Sequence, residues 1–459
     1  SPLMELSGYS VTCGNLSLKC PATRRAGSLI IEAVNSLLAK LRNDPIIARV
    51  LRNSGFLFSS TVVSAALGFA QGILVVRLLG IEQFGALTAV MLFASNVNRL
   101  LSFRMSEVTV KYLGEALVQD DKSRAAALAK WIGIAEAFTS ILAYLVLFFL
   151  ATWFAGDVTE TYYYRFYGLF LLANLVYETS SGVLQAIDRF KRVASANLLQ
   201  SIVTILLIGL AFFMRWGMFE ILVAYLVGKT LAALVVTGSA VWELKHRLGT
   251  GWMRAPFSLV TDWKSIARFA LSTNINGTVN LFARDNIPLY IKYFVSDTAL
   301  GYFRIATSLI NLVMLPIEPF IWPTYTEITK TIAQKQWQAT RRLLKQVSLI
   351  GVAWTLLAGG GLAALGWWFI PFAYKVEPAL VIVCALILLI GYGVANIANW
   401  NRPLLLALGR SNDPLIVAAI IGAIELALIF LLVPAGGYLV AAAIFSWYLA
   451  SSILINVVH

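Results

Sequence analysis

The 459-residue chain is short of the side chains that carry most enzymatic and metal chemistry, with two histidines and three cysteines in all. His246 and His459 are too few for a histidine-based catalytic or zinc site. Cys13, Cys20 and Cys384 show neither metal-ligand spacing nor a disulfide framework. Charge is scarce as well, at 13% of residues against 59% hydrophobic. Mean hydropathy is +0.78. A soluble domain of this length does not look like that. Apolar runs long enough to cross a bilayer recur throughout, so the sequence predicts an all-α, multi-pass membrane protein. No enzyme, cofactor or metal is expected.

The net charge of +13 is not a nucleic-acid signal, because the basic residues gather in alternate short connections. One set holds Arg104, Lys111, Lys122 and Arg124, then Arg189, Lys191 and Arg192, then Lys245, Arg247, Arg254 and Lys264, then Lys330 to Lys345, then Arg410. The opposite set holds Arg77, Arg165, Arg215, Lys292 and Lys375. The rich side is expected to be cytoplasmic, with both termini inside and the protein in the inner (plasma) membrane.

Hydropathy predicts about twelve transmembrane helices in two six-helix lobes. The expected divisions are a basic leader at 1–53, an N-lobe at 54–242, an interfacial linker at 243–265 and a C-lobe at 266–459. In the leader, Leu29, Ile30, Ala33, Val34, Leu37, Leu38 and Leu41 recur at helical spacing, an amphipathic stripe suited to lying on the inner leaflet. The lobes read as an internal repeat. RLLGIEQFGALTAV (77–90) and YFVSDTALGYFRIA (293–306) align through Gly85 and Gly301, 216 positions apart. At that offset Ser60 pairs with Asn276 and Ser64 with Asn280.

Polar residues inside the apolar segments keep helical spacing. Ser60, Ser64 and Gln71 share one face; Ser95, Arg99, Ser102 and Ser106 share another. In the second half, Asn276, Asn280 and Arg284 stack at i, i+4, i+8, followed by Arg304, Ser308, Asn311 and Glu318. Asn174, Glu178, Ser181 and Gln185 form a further stripe, answered by Asn399 and Arg402. A charge at a membrane helix centre costs roughly 2.5–3.5 kcal/mol on insertion scales and usually marks function. Small-residue packing explains the serines equally well, but not Arg99, Arg284 and Arg304. Glu136, Lys229 and Glu425 read as lone charges that pair between helices, and Pro288, Pro316, Pro319, Pro323 and Pro403 as hinges.

RLLGIEQFG, ARDNIPLYIKYFVSDTALGYF and IWPTYTEI resemble the polysaccharide transporter family of O-antigen and exopolysaccharide flippases. That family lies within the multidrug/oligosaccharidyl-lipid/polysaccharide (MOP) exporter superfamily, and the resemblance spans about 53–458. It implies two lobes around a V-shaped cavity and export of an undecaprenyl-diphosphate-linked oligosaccharide to the outer leaflet. It also implies membrane lipids and polysaccharide polymerase or assembly proteins as partners. The candidate substrate-binding residues are Arg99, Arg284, Arg304, Asn276, Asn280, Ser60, Ser64, Gln71, Ser308 and Asn311. Asp285, Glu318 and Glu178 are the candidates for a coupling cation. The alternatives are an ion-coupled multidrug exporter of the same superfamily, or a membrane polysaccharide polymerase.

Overall fold

In the computed structural model, which describes residues 45–410 and 413–458, the regular elements are helices. The first half holds α1 (Pro45–Leu79), α2 (Ile81–Leu101), α3 (Met105–Val108), a π turn at Thr109–Leu113 and α4 (Gly114–Val118). It continues through α5 (Lys122–Phe154), α6 (Val158–Ala173), α7 (Tyr177–Ala186), α8 (Phe190–Met214) and α9 (Met218–Leu248). Two 3-10 turns, Trp252–Arg254 and Phe257–Leu259, lead into the second half. That half holds α10 (Trp263–Asn280), a π turn at Leu281–Asp285, α11 (Ile287–Phe294), α12 (Asp297–Met314) and α13 (Glu318–Ala333). It closes with α14 (Trp337–Tyr374), α15 (Pro378–Ile397), α16 (Asn401–Ala407) and α17 (Asp413–Val458).

Polar caps start several of these helices. Asp121 accepts from the backbone N–H of Arg124 at 2.9 Å, Asp157 from that of Glu160 at 2.6 Å and Ser296 from that of Ala299 at 3.1 Å. Each satisfies a donor that the first turn leaves unpaired. On α14, Leu349, Leu356, Leu357, Leu365 and Trp368 stay exposed, as a lipid-facing helix requires.

Eight helical runs are long and apolar enough to cross a membrane, fewer than the twelve that hydropathy suggests. The shortfall has a physical source. The stretches α6–α7, α10–α11 and α12–α13 are interrupted or too polar to count. α17 counts once, although Gly437 (φ 71) divides it.

The interruptions repeat between the halves. Residues 102–104 separate α2 from α3, and 315–317 separate α12 from α13. Residues 174–176 divide α6 from α7, and 398–400 divide α15 from α16. Phe103 (φ 51) and Arg104 (φ 47) both adopt the left-handed conformation at the first break, a costly state for side chains with a Cβ. Prolines account for others: Pro288 and Pro319 sit in the first turns of α11 and α13, where no intrahelical donor is lost.

The halves meet along α2 and α12. Gly85 and Gly301 cross there so closely that a Cβ on Gly85 would overlap the carbonyl of Asp297, and one on Gly301 that of Ile81. The pair that aligned the repeat in sequence is thus the point where the repeats touch. Small residues let two membrane helices approach backbone to backbone.

One expected boundary changes. The linker does not begin at Glu243, because α9 runs on to Leu248. Glu243 is buried and held by Arg189 (3.2 Å), Arg192 (3.1 Å) and Arg247 (3.4 Å), which anchors the end of α9 to the turn before α8. The amphipathic stripe at 29–41 lies outside the described residues.

Candidate functional site

The connection between α10 and α11 decides what faces the other lobe. An α-helical face would carry Asn276, Asn280 and Arg284 in one line. Instead Leu281–Asp285 is a π turn, and the N–H of Asn286 reaches back five residues to the carbonyl of Leu281 at 2.9 Å. The wider turn rotates everything after Asn280, so the expected stripe breaks. Asp285, rather than Arg284, then meets the first lobe. Its Oδ2 accepts from Nη1 of Arg99 on α2 at 2.5 Å. Beside this pair, Asn96 Nδ2 donates to Asn286 Oδ1 at 2.5 Å and Asn274 Nδ2 to the carbonyl of Leu100 at 2.8 Å.

Three other cations of the apolar segments lack an acid among the described residues. No carboxylate pairs with Arg284, Arg304 or Lys229 among the described residues. Arg284 is exposed. Arg304 on α12 lies within electrostatic reach of Tyr225 on α9 and Tyr392 on α15, so it is shared by both lobes. Lys229 rests over Phe170 at 4.2 Å and Tyr167 at 5.7 Å, a cation–π setting in place of the expected ion pair.

The other candidates are distributed unevenly. Ser60 and Gln71 are buried, and Gln71 Nε2 donates to the carbonyl of Ser201 at 3.0 Å, so its amide is engaged inside its own lobe. Ser64 is half-buried and Asn280 exposed. Ser308 Oγ donates to the carbonyl of Arg304 at 2.8 Å, one turn back on the same helix, and Asn311 is exposed. The side chains of Asn276 and Glu318 lie outside the described residues. Glu178 is half-buried and offers its N–H to Glu136 Oε1 at 2.8 Å, while Thr179 N–H reaches Oε2 at 2.7 Å. Glu136 therefore caps the start of α7 from α5, interhelical as expected but bonded to main chain. Glu425 corrects the pairing expectation outright: it is fully buried, and neither oxygen has a hydrogen-bond partner among the described residues.

Asn96, Asn274, Tyr225 and Tyr392 were not singled out in sequence, since isolated amides and tyrosines in apolar helices carry no spacing signal. Arg104, which counted only as a loop charge, stands against Gly277 of α10, where an added Cβ would come within 3.0 Å of its Nε.

At the end poor in basic residues the lobes close again. Lys292 pairs with Glu160 of the first lobe and with Asp297 at 2.8 Å. Arg77 donates to the carbonyls of Phe372 and Ala373, the latter at 2.6 Å. A cavity of about 360 Å³ lies there, lined by Glu82, Trp153, Glu160, Lys292 and Asp297 among others.

A family model described as "Polysaccharide biosynthesis protein" matches residues 74–375, about two thirds of the chain, including the α2–α12 crossing and the π turn. The chain belongs to that family. That agrees with the polysaccharide family that the sequence resembles. No curated protein matches the sequence significantly. Among solved structures, an inward-facing multidrug resistance MATE family transporter of the MOP superfamily aligns at 13% identity over 86% of this chain and 93% of that one, with a TM-score of 0.69. The lipid II flippase MurJ, in an inward closed conformation, aligns at 14% identity over 88% of this chain and 87% of that one, with a TM-score of 0.68. A MOP superfamily transporter from Pyrococcus furiosus aligns at 14% identity over 91% and 95%, with a TM-score of 0.62. At such identities these likenesses establish the two-lobed fold and nothing finer. With eight helical runs long and apolar enough to cross a membrane, the chain is a multi-pass member of that family.

Proposed function

We propose that this transporter moves an undecaprenyl-diphosphate-linked oligosaccharide across the inner membrane by alternating access, for cell-surface polysaccharide synthesis. The observation that carries this reading is the guanidinium of Arg304, within electrostatic reach of tyrosines of both lobes and with no acid paired to it among the described residues. Leaving a cation unpaired inside a membrane protein is costly, and a ligand of opposite charge offsets that cost. Arg304 and Arg284 would hold the diphosphate, since a guanidinium is planar, permanently charged and able to bind phosphate bidentately. Arg99 would join them when released from Asp285. Asn280 and Asn311, both exposed, would meet sugar hydroxyls, with Ser64 and Ser308 nearer the helix surfaces. Asn276, Ser60 and Gln71 complete the sequence-derived set, Gln71 the weakest because its amide is engaged. A multidrug exporter for cations would need a free acid where Asp285 is instead bound to Arg99.

The basic-rich end would face the cytoplasm, and both termini with it. Glu178 and Glu318 keep their proposed role in binding a coupling cation. Asp285 does so only in a state where Arg99 has left it. Outward movement of the diphosphate also runs with an inside-negative potential, by about 2.3 kcal/mol per charge per 100 mV. Arg304→Ala is expected to abolish surface polysaccharide while the protein stays in the membrane at normal abundance. Arg304→Lys should retain part of the export. Wild-type export from Arg304→Ala would refute the reading.

A further inference from the structure

Asp285 is the acid that a diphosphate-binding site does not explain. It faces the very cation that such a cargo would use. A carboxylate there weakens phosphate binding, yet the π turn at Leu281–Asp285 aims it at Arg99.

The pair is built loosely. One nitrogen of Arg99 contacts one oxygen of Asp285, which leaves most of the five guanidinium donors free. The side chains are 53% and 32% exposed, so solvent screens the attraction and an arriving ligand can reach it. The same chain builds a tight cluster elsewhere: Glu243 is 4% exposed and held by three arginines. A phosphate group offers Arg99 a bidentate, multiply charged partner in place of a single-contact carboxylate.

We propose that Asp285 is a built-in competitor that sets the charge a cargo must carry. It occupies Arg99 until a diphosphate displaces it, and ligands with a single phosphate fail to do so. Displacement also removes the ion pair that ties α2 to the π turn. The neutral Asn96–Asn286 and Asn274–Leu100 bonds still tie the lobes beside it. Cargo recognition and loosening of the lobes become one event. The proposal rests on the diphosphate reading above, and its test separates the two.

The test uses the purified full chain in lipid nanodiscs, with farnesyl diphosphate and farnesyl monophosphate as probes and binding followed by tryptophan fluorescence. Wild type is expected to prefer the diphosphate. Asp285→Asn should tighten monophosphate binding about tenfold, a change of 1.4 kcal/mol, and so shrink the preference. Asp285→Glu should restore it. Arg99→Gln should weaken diphosphate binding in both the wild-type and the Asp285→Asn backgrounds. A wild type that binds neither probe overturns the diphosphate reading and the proposal with it. A wild type that prefers the diphosphate, beside an Asp285→Asn variant with the same preference, overturns the competitor role alone. A second measurement does not depend on the stability of that variant. Cysteines replacing Asn96 and Asn286 should cross-link in the apo protein, more slowly with the diphosphate and unchanged with the monophosphate. Equal rates under all three conditions also overturn the competitor role.

Discussion

The lobes meet at two depths, and the two contacts are built differently. At the end poor in basic residues, backbone lies on backbone at Gly85 and Gly301, and Lys292 is 11% exposed between Glu160 and Asp297. Deeper along the same helix, Arg99 and Asp285 touch through a single contact open to solvent. Buried pairs in tight packing resist rearrangement, whereas exposed pairs hold with about 0–1 kcal/mol. The first contact is suited to keeping the molecule shut on one side. The second is suited to being broken by cargo.

The contrast is most easily broken at Lys292. Removing one partner of a mostly buried ion pair costs about 3–5 kcal/mol, and here it also leaves Glu160 and Asp297 facing each other as like charges. Lys292→Met is therefore expected to open the closed end. Single cysteines at Tyr293 or Thr298, both lining the cavity there, should then react with a membrane-impermeant thiol reagent several-fold faster than in the parent. An unchanged rate would mean the glycine crossing closes this end by itself. Gly85→Ala tests that crossing. Its methyl would overlap the Asp297 carbonyl, and overpacking of this kind costs about 1–3 kcal/mol. The variant should insert normally, melt at a lower temperature and export less. Full export would show that the helices can part without loss.

Much of this seam was legible in the amino-acid order. Gly85 and Gly301 aligned the repeat before their contact was known, because a close crossing demands glycine at corresponding places in each copy. Arg99, Arg284 and Arg304 stood out because charge is rare in apolar segments. What could not be read was which of two adjacent residues, Arg284 or Asp285, turns towards the first lobe. Periodicity of 3.6 assumes an unbroken helix, and LFARD carries no spacing signal for the wider π turn that rotates Asp285 into place. The same blindness covers Glu425, whose isolation depends on what α11 and the rest of α17 bring near it. Glu136 was legible as a partner between helices, but not as a cap, since the start of α7 appears only once α6 stops at Ala173.

The smallest expected effect sharpens the comparison through protons. Asp297 is the first residue of α12, at the closed end and ahead of its apolar stretch, and burial raises its pKa above the usual aspartate value of 3.8, with Lys292 opposing the shift and Glu160 and Glu82 adding to it. If opening that end returns Asp297 to water, its pKa returns towards the ordinary value. The closed form then binds the proton more tightly than the open one. Between the ordinary and the raised values, lowering the pH favours closure, and raising it favours opening. Lys292 keeps Glu160 as a partner when Asp297 is protonated, so the contact survives acid. Thiol labelling at Thr298, taken relative to an exposed control cysteine so that the loss of thiolate cancels, should therefore slow modestly as the pH falls through that window. Asp297→Asn should flatten the dependence at the slow rate, because the neutral amide mimics the protonated acid. A labelling rate that rose on acidification would show that the ion pair, not the burial of Asp297, governs this end of the seam.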